Sequence, residues 1–249
     1  MLTDEKTDGT GSLKPESYPL IGFPEEDWTW FETACGDLEV PCDDAKRKVI
    51  ERLYSHLLGV NAWMNLTRLT APRDYLKFHL LDSLTILNVV NELTQGESES
   101  IVLDLGSGGG YPGLPLAVWR PDLHIVLNDS RPRKVEFLKE AIKLTGNDNA
   151  EAAAFRGREV RHFRHDLAAS CDIVTARAVG KAADLLVDAS ELLVKGGAFI
   201  IMKGRNFERD EGEDFEKACR HCRFETLEIM PVALDEDDPD RFVILAVKK

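Results

Sequence analysis

The stretch from Ile101 to Gly113, IVLDLGSGGGYPG, holds the densest set of residues able to do chemistry. It reads as a buried strand running into a glycine turn, and such a turn lets backbone approach a ligand closely. Two patterns overlap in it. Gly108-x-Gly110-x-x-Gly113 fits the dinucleotide pattern, and Asp104-x-Gly106-x-Gly108-x-Gly110 fits the acidic glycine loop of S-adenosylmethionine (SAM) sites. Asp129, 25 residues past Asp104, falls at the end of the next predicted strand. A carboxylate there accepts hydrogen bonds from ribose hydroxyls in either kind of site.

Three features favour SAM over a nicotinamide cofactor. Asp104 immediately precedes the turn, where an acid helps to hold the cationic methionine end. A dinucleotide site aims a helix N-terminus at a pyrophosphate, whereas Pro112 crowds this turn and its first glycine lies two residues past Asp104. Finally, LLVKGGAFIIMKG (192–204) resembles the helix, glycine turn and fifth strand of Rossmann-like methyltransferases. The cofactor residues read from the turn are Asp104, Gly106, Ser107, Gly108 and Gly110, with Asp129 on the ribose.

The end of the fourth strand usually carries the chemistry in such enzymes, and here it reads CDIVTARAV. It lacks the Asn/Asp-Pro-Pro-aromatic turn of exocyclic-amine methylation. Cys171 sits at the wrong end of the strand to be a covalent nucleophile. The acids that metal-assisted O-methylation needs are replaced by Arg177. An arginine without a base suits a nucleophile that already has a free lone pair, such as guanine N7. The bland alternative for Arg177 is an ordinary salt bridge.

These residues need a scaffold. Strands are predicted near 101–105, 124–128, 151–155, 171–175 and 197–202, and helices near 113–119, 131–145, 159–168, 181–192 and 208–222. Alternation of this kind implies a parallel sheet covered on both faces. FETLEIMPV and DRFVILAVKK add two strands joined by an acidic loop, an expected antiparallel edge. Upstream, Asp43 and Asp44 can cap a helix carrying Val49, Ile50, Leu53, Tyr54, Leu57 and Leu58. Pro72 opens a second helix, with Leu76, Leu80, Leu81, Leu84, Leu87 and Val90 on its apolar side. QGESES (95–100) reads as a linker. The expected division is an acidic, flexible extension over 1–42, part of which the two tryptophans of EEDWTWF could dock on the body, a helical region over 43–97 and a Rossmann-like domain over 98–249.

Net charge is −13, but its distribution matters more. Residues 1–45 carry 12 acids and 2 bases, and residues 207–240 carry 13 acids and 4 bases. Residues 131–165 carry 9 bases and 5 acids, a basic middle able to touch phosphates. Cys219-Arg-His-Cys222 has C-x-x-C spacing but no second ligand pair, so no metal is expected. No apolar run is long enough to span a bilayer, and the first residues do not read as a signal peptide. The cytoplasm is the expected compartment.

NLTRLTAPRDYLKFHLLDSL, VLDLGSGGGYPGLPLAVWRPDLHIVLNDSRPRKVEFL, DIVTARAV and GGAFIIMKG together resemble the glucose-inhibited division B (RsmG/GidB) family, over roughly residues 60–205. These are guanine-N7 methyltransferases of bacterial small-subunit (16S) ribosomal RNA. The resemblance implies a class I SAM-dependent methyltransferase fold, a mostly parallel seven-stranded sheet with an antiparallel C-terminal strand, preceded by helices. It implies Gly106, Tyr111, Arg158, Glu159 and Arg177 at the cofactor, and Asn65, Thr67, His79, Asp82, Ser83 and Lys203 on the substrate side. Arg177 would position substrate, with no general base. The partner would be 16S ribosomal RNA or the small subunit, with no membrane, and a monomer is expected. Tyr111 stands where phenylalanine is usual, and Arg158 where smaller residues are common. The residues alone leave open a nicotinamide-dependent oxidoreductase, a non-catalytic RNA-binding module, or a methyltransferase of small molecules or proteins.

Overall fold

A computed structural model describes residues 11–95, 99–177, 180–234 and 241–249. Two helices come first, α1 (Glu25–Asp37) and α2 (Asp44–Met64). A broken helical run follows: α3 (Pro72–Tyr75), a π-helical turn (Leu76–Leu81), α4 (Asp82–Leu84) and α5 (Leu87–Leu93). The alternating part is β1 (Ile101–Leu105), α6 (Gly113–Trp119), β2 (His124–Asn128), α7 (Pro132–Thr145), β3 (Ala150–Ala153), α8 (Val160–Phe163), β4 (Cys171–Arg177), α9 (Ala182–Leu192) and β5 (Leu193–Gly204). It closes with α10 (Phe207–Cys222), β6 (Phe224–Val232) and β7 (Arg241–Lys248).

The strands form one seven-stranded sheet in the order β3-β2-β1-β4-β5-β7-β6. All pairs are parallel except those of β7, which runs antiparallel to β5 and β6. This is the architecture the alternating pattern predicts. The direction of strand progression reverses between β1 and β4, the switch point at which open α/β sheets bind ligands. Both faces are covered, so β1, β2 and β4 are apolar almost throughout. Val102, Ile125 and Ile173 pack on the side of α2 and the broken helical run. Their neighbours Leu103, Val126 and Val174 pack on the opposite side, with Leu186 of α9 and Phe215 of α10.

Local signals explain the helix ends. The Asp43 carboxylate accepts the Lys46 N–H at 2.9 Å and caps α2, as the sequence suggests. Asn65 closes the same helix in the left-handed conformation. α7 has Pro132 in its first turn and Gly146 just past its end.

The structure departs from the sequence reading in three places. Residues 23–40 are not a flexible extension. Trp28 and Phe31 of α1 are 1% and 0% exposed, and Phe23, Cys35 and Val40 are buried with them. Phe23 sits among Trp28, Tyr54 and Tyr75 at ring distances of 5.0, 4.6 and 5.9 Å. Trp28, Phe31 and Cys35 recur at helical spacing, but the acids around them concealed that stripe. Residues 1–10, the middle of the linker (96–98) and the acidic loop (235–240) lie outside the described residues. The second predicted helix is interrupted by its π turn and again after Leu84. The helix predicted over 159–168 is instead the single turn α8 between two 3-10 turns.

Trp28→Ala is expected to lower stability by about 3–5 kcal/mol, as removal of a packed core aromatic does. Urea unfolding measures it. A loss below about 0.5 kcal/mol, typical of an exposed site, would return α1 to the status of a loose extension.

Candidate active site

The glycine turn leaves β1 in a conformation that needs glycine. Gly106, Gly108 and Gly110 have φ of 80°, 58° and 99°. The Gly106 and Ser107 N–H groups both donate to the Asn128 carbonyl at 2.8 and 2.7 Å, locking the turn to the end of β2. A cavity of about 460 Å³ opens above it, between the turn, Asp129, Thr67 and Arg177.

Asp129 organises this cavity. Its Oδ2 accepts the Gly108 N–H at 3.2 Å and lies 3.7 Å from the Lys134 ammonium, while Oδ1 accepts the Arg131 N–H at 2.9 Å. A second cavity, of about 500 Å³, adjoins the first through Gly106 and Ser130 and is lined by Phe155, Leu185, Arg158 and Glu159. Arg158 reaches across to α9, with Nε 2.7 Å from Asp188.

At the other end of the first cavity, Arg177 enters from the tip of β4. Its Nη1 donates to the Phe78 carbonyl at 2.6 Å and to Asp82 Oδ2 at 2.8 Å. Its Nη2 lies 3.3 Å from His79 Nδ1. Arginine is only a donor, so Nδ1 must accept and the proton of His79 sits on Nε2, which donates to Thr67 Oγ1 at 2.9 Å. Burial first, then the neighbouring guanidinium, pushes His79 down to about 3. The ring is therefore neutral with both nitrogens engaged. It stacks on Tyr111 at 4.7 Å, and the Tyr111 hydroxyl donates to that of Tyr75 at 2.8 Å. Beside Arg177 lies a third cavity, of about 280 Å³, which among the described residues shares only His79 and Arg177 with the first and is lined further by Asp82, Phe78, Lys203 and Arg241.

The structure thus brings Gly106, Ser107, Gly108, Tyr111, Asp129, Thr67, His79 and Arg177 around one cavity. Arg158 and Glu159 line the second, and Asp82 and Lys203 the third. Lys203 is paired with Glu211 at 2.9 Å. Four expected site residues do not line these cavities. Asn65 is exposed and acts as the end of α2. Ser83 is buried, its hydroxyl donating to the His79 carbonyl. Gly110 faces Leu114 and Leu138 in the interior. Asp104 is fully buried behind the turn, where Oδ2 accepts the Gly113 N–H at 2.9 Å. It positions the turn and the start of α6. A Cβ at Gly113 would lie 2.9 Å from that same oxygen, so glycine is needed for the approach.

Gly109, Ser130, Arg131, Lys134, Gly180, Leu57 and Leu66 also line the first cavity and were missed by sequence reasoning. Ser130 directly follows Asp129 and Lys134 lies five residues after it, in the first turn of α7, a signal that was available. Arg241 and Phe78 offered none, because only the placement of β7 brings them together, with the guanidinium 5.3 Å from the ring centroid. Cys171 lies buried at the far end of β4, its thiol pushed up to about 12 by burial.

A switch-point cavity over an acid-backed glycine turn, in a sheet of this order, defines a class I methyltransferase. The chain belongs to the GidB family of rRNA small subunit methyltransferase G, which it matches over residues 46–237. It is similar to ribosomal RNA small subunit methyltransferase G of Gloeobacter violaceus, 34% identical over 193 residues, covering 78% of this chain and 74% of that protein. The protein of the same name from Neisseria meningitidis serogroup C is 38% identical over 157 residues, covering 62% and 70%. Among solved structures, the precorrin-6y C5,15-methyltransferase of Geobacter metallireducens matches in fold with a TM-score of 0.50 at 14% identity, covering 65% of this chain and 87% of that one. Family membership sets aside the dinucleotide reading of the glycines.

Burial holds the Asp104 carboxyl protonated up to about pH 6, against 3.8 for a free side chain. The native state therefore binds this proton more tightly than the unfolded chain. The resulting stability is full below about pH 4 and is lost as pH rises through about 6. Asp104→Asn keeps an acceptor for the Gly113 N–H and removes the titration. Its stability relative to wild type is expected to rise by on the order of 1–3 kcal/mol between pH 4 and pH 8, read from urea midpoints. Parallel pH profiles for the two proteins would disprove the buried charge.

Proposed function

We propose that the chain transfers the methyl group of SAM to N7 of a guanine in small-subunit (16S) ribosomal RNA, acting in the cytoplasm as a monomer. One observation carries the choice of nucleophile. Where the first cavity meets the tip of β4, Arg177 is a pure donor and both nitrogens of His79 are engaged. An amine or hydroxyl must lose a proton on methylation, whereas guanine N7 attacks with a lone pair it already has.

The residues present fit the cofactor. The left-handed turn brings backbone to the cavity at Gly106, Ser107 and Gly108, with Asp129 beside it to accept from ribose hydroxyls. The adjoining cavity offers Phe155 and Leu185 to a flat adenine. When bound, SAM supplies a methyl group activated by its sulfonium. The work of the protein is alignment and exclusion of water. Arg177 has its charge balanced by Asp82, and in this reading it meets O6 or a phosphate of the substrate. Arg131, which lines the first cavity, and Arg133, both exposed, suit RNA phosphates despite the acidic total charge. No helix among the described residues is long and apolar enough to cross a membrane.

Single-turnover methylation of 16S ribosomal RNA, followed by nuclease digestion and mass spectrometry, tests the reading. The expected product is 7-methylguanosine, formed at a rate nearly flat between about pH 6.5 and 8.5. A rate climbing tenfold per pH unit would show a proton being removed and overturn it. Asp129→Ala is expected to weaken SAM binding roughly tenfold to hundredfold in calorimetry, and an unchanged dissociation constant would refute the ribose assignment.

A further inference from the structure

We propose that the third cavity, beside Arg177, holds the target guanine, and that Asp82 reads its N1–H and 2-amino edge. The proposal rests on the guanine-N7 reading above and names how the base is selected.

The cavity of about 280 Å³ has room for one flat heterocycle and borders the first cavity, with His79 and Arg177 lining both, so that a base seated in it turns its N7 edge to the methyl donor beside these two side chains. An enzyme acting on a base takes it out of the stack, holds it between apolar or aromatic surfaces and reads its Watson–Crick edge. Phe78, with the Arg241 guanidinium 5.3 Å from its ring centroid, supplies such a surface. Asp82 supplies the reading group. Its side chain is only 6% exposed, yet it lines this cavity and not the first. Oδ2 is held by Arg177 at 2.8 Å and Oδ1 is 3.4 Å from Arg241, so the carboxylate is fixed in place. A carboxylate has about four lone-pair sites, so two cations do not exhaust it.

The orientation follows from guanine itself. N7 and O6 lie on one edge, and the N1–H and 2-amino donors lie on another. A base that turns N7 toward the first cavity and sets O6 at the donor Arg177 carries N1–H on the other side of O6, next to Asp82, whose Oδ2 is 2.8 Å from that guanidinium. Adenine, with an acceptor at N1 and no 2-amino group, would set a lone pair against the carboxylate.

Asp82 also meets the transition state. As the methyl group moves, the N7–carbon bond forms, the carbon–sulfur bond breaks with its electron pair returning to sulfur, and the positive charge passes to the guanine ring. No proton leaves. N1–H becomes a stronger donor as the ring gains charge, so its bond to Asp82 strengthens during the step and accelerates it.

The test replaces the target guanine in a 16S ribosomal RNA fragment by inosine, which keeps N7, O6 and N1–H but lacks the 2-amino group. Single-turnover rates are measured at saturating SAM for wild type and for Asp82→Asn, with SAM affinity and thermal midpoint as controls. Wild type is expected to prefer guanine to inosine by roughly tenfold to hundredfold, the effect of one hydrogen bond to a charged group. Asp82→Asn is expected to be slower on guanine and to shrink that preference to within about threefold. A preference that survives in Asp82→Asn would mean that the carboxylate only holds Arg177, and would overturn the proposal. Equal wild-type rates on guanine and inosine would overturn it without any variant. If wild type forms no 7-methylguanosine from the guanine fragment, the function itself is wrong and this assignment falls with it.

Discussion

The buried guanidinium of Arg177 ties the two parts of this chain together. It projects from the tip of β4, and every hydrogen-bond partner it has among the described residues, Phe78, His79 and Asp82, comes from the helical segment nearly a hundred residues earlier. A charge only 13% exposed is costly unless it is paired and hydrogen-bonded on several sides. The π turn of Leu76–Leu81 serves that need, because it delivers a carbonyl, an imidazole lone pair and, one residue on, a carboxylate to the same place. π turns inside helices are often found where function sits. This knot fixes the side chains that line both the first and the third cavity.

Around that knot the protonation states are settled by geometry. His79 is driven neutral by burial and by the adjacent cation, and its tautomer is dictated by which neighbour can only donate. Asp82 is shared by Arg177 and Arg241, so one carboxylate couples the ends of β4 and β7 to the helical cap. The arrangement offers hydrogen-bond donors in quantity and keeps the histidine from acting as a base.

The glycine turn solves a different problem. Asp104 lies beneath it, buried, holding the start of α6 through the Gly113 amide. An acid in that position destabilises the empty fold when ionised, yet it places negative potential under a cavity suited to a cationic ligand.

Much of this was legible in the chain itself. Runs such as IVLDL and HIVLN, alternating with amphipathic helices, specify a parallel sheet buried on both faces, because only such strands are apolar throughout. The glycines with positive φ and Asp129 at the next strand end announce the cofactor turn, because few other residues tolerate those conformations. What composition concealed was α1, since three apolar residues one and two turns apart are outvoted by the surrounding acids until a partner surface is known. The π turn was equally hidden, for it differs from an α-helix by one widened turn whose advantage lies in bonds to a distant strand. Only the tertiary structure could decide that Asp104 supports the turn from behind rather than facing the cavity, that Ser83 is core, and that Arg241 meets Phe78 and Asp82. Local sequence dictates which backbone conformations and apolar faces are possible. Which polar groups meet is set by how those faces stack, and side chains a hundred or more residues apart carry no mark of one another until they do.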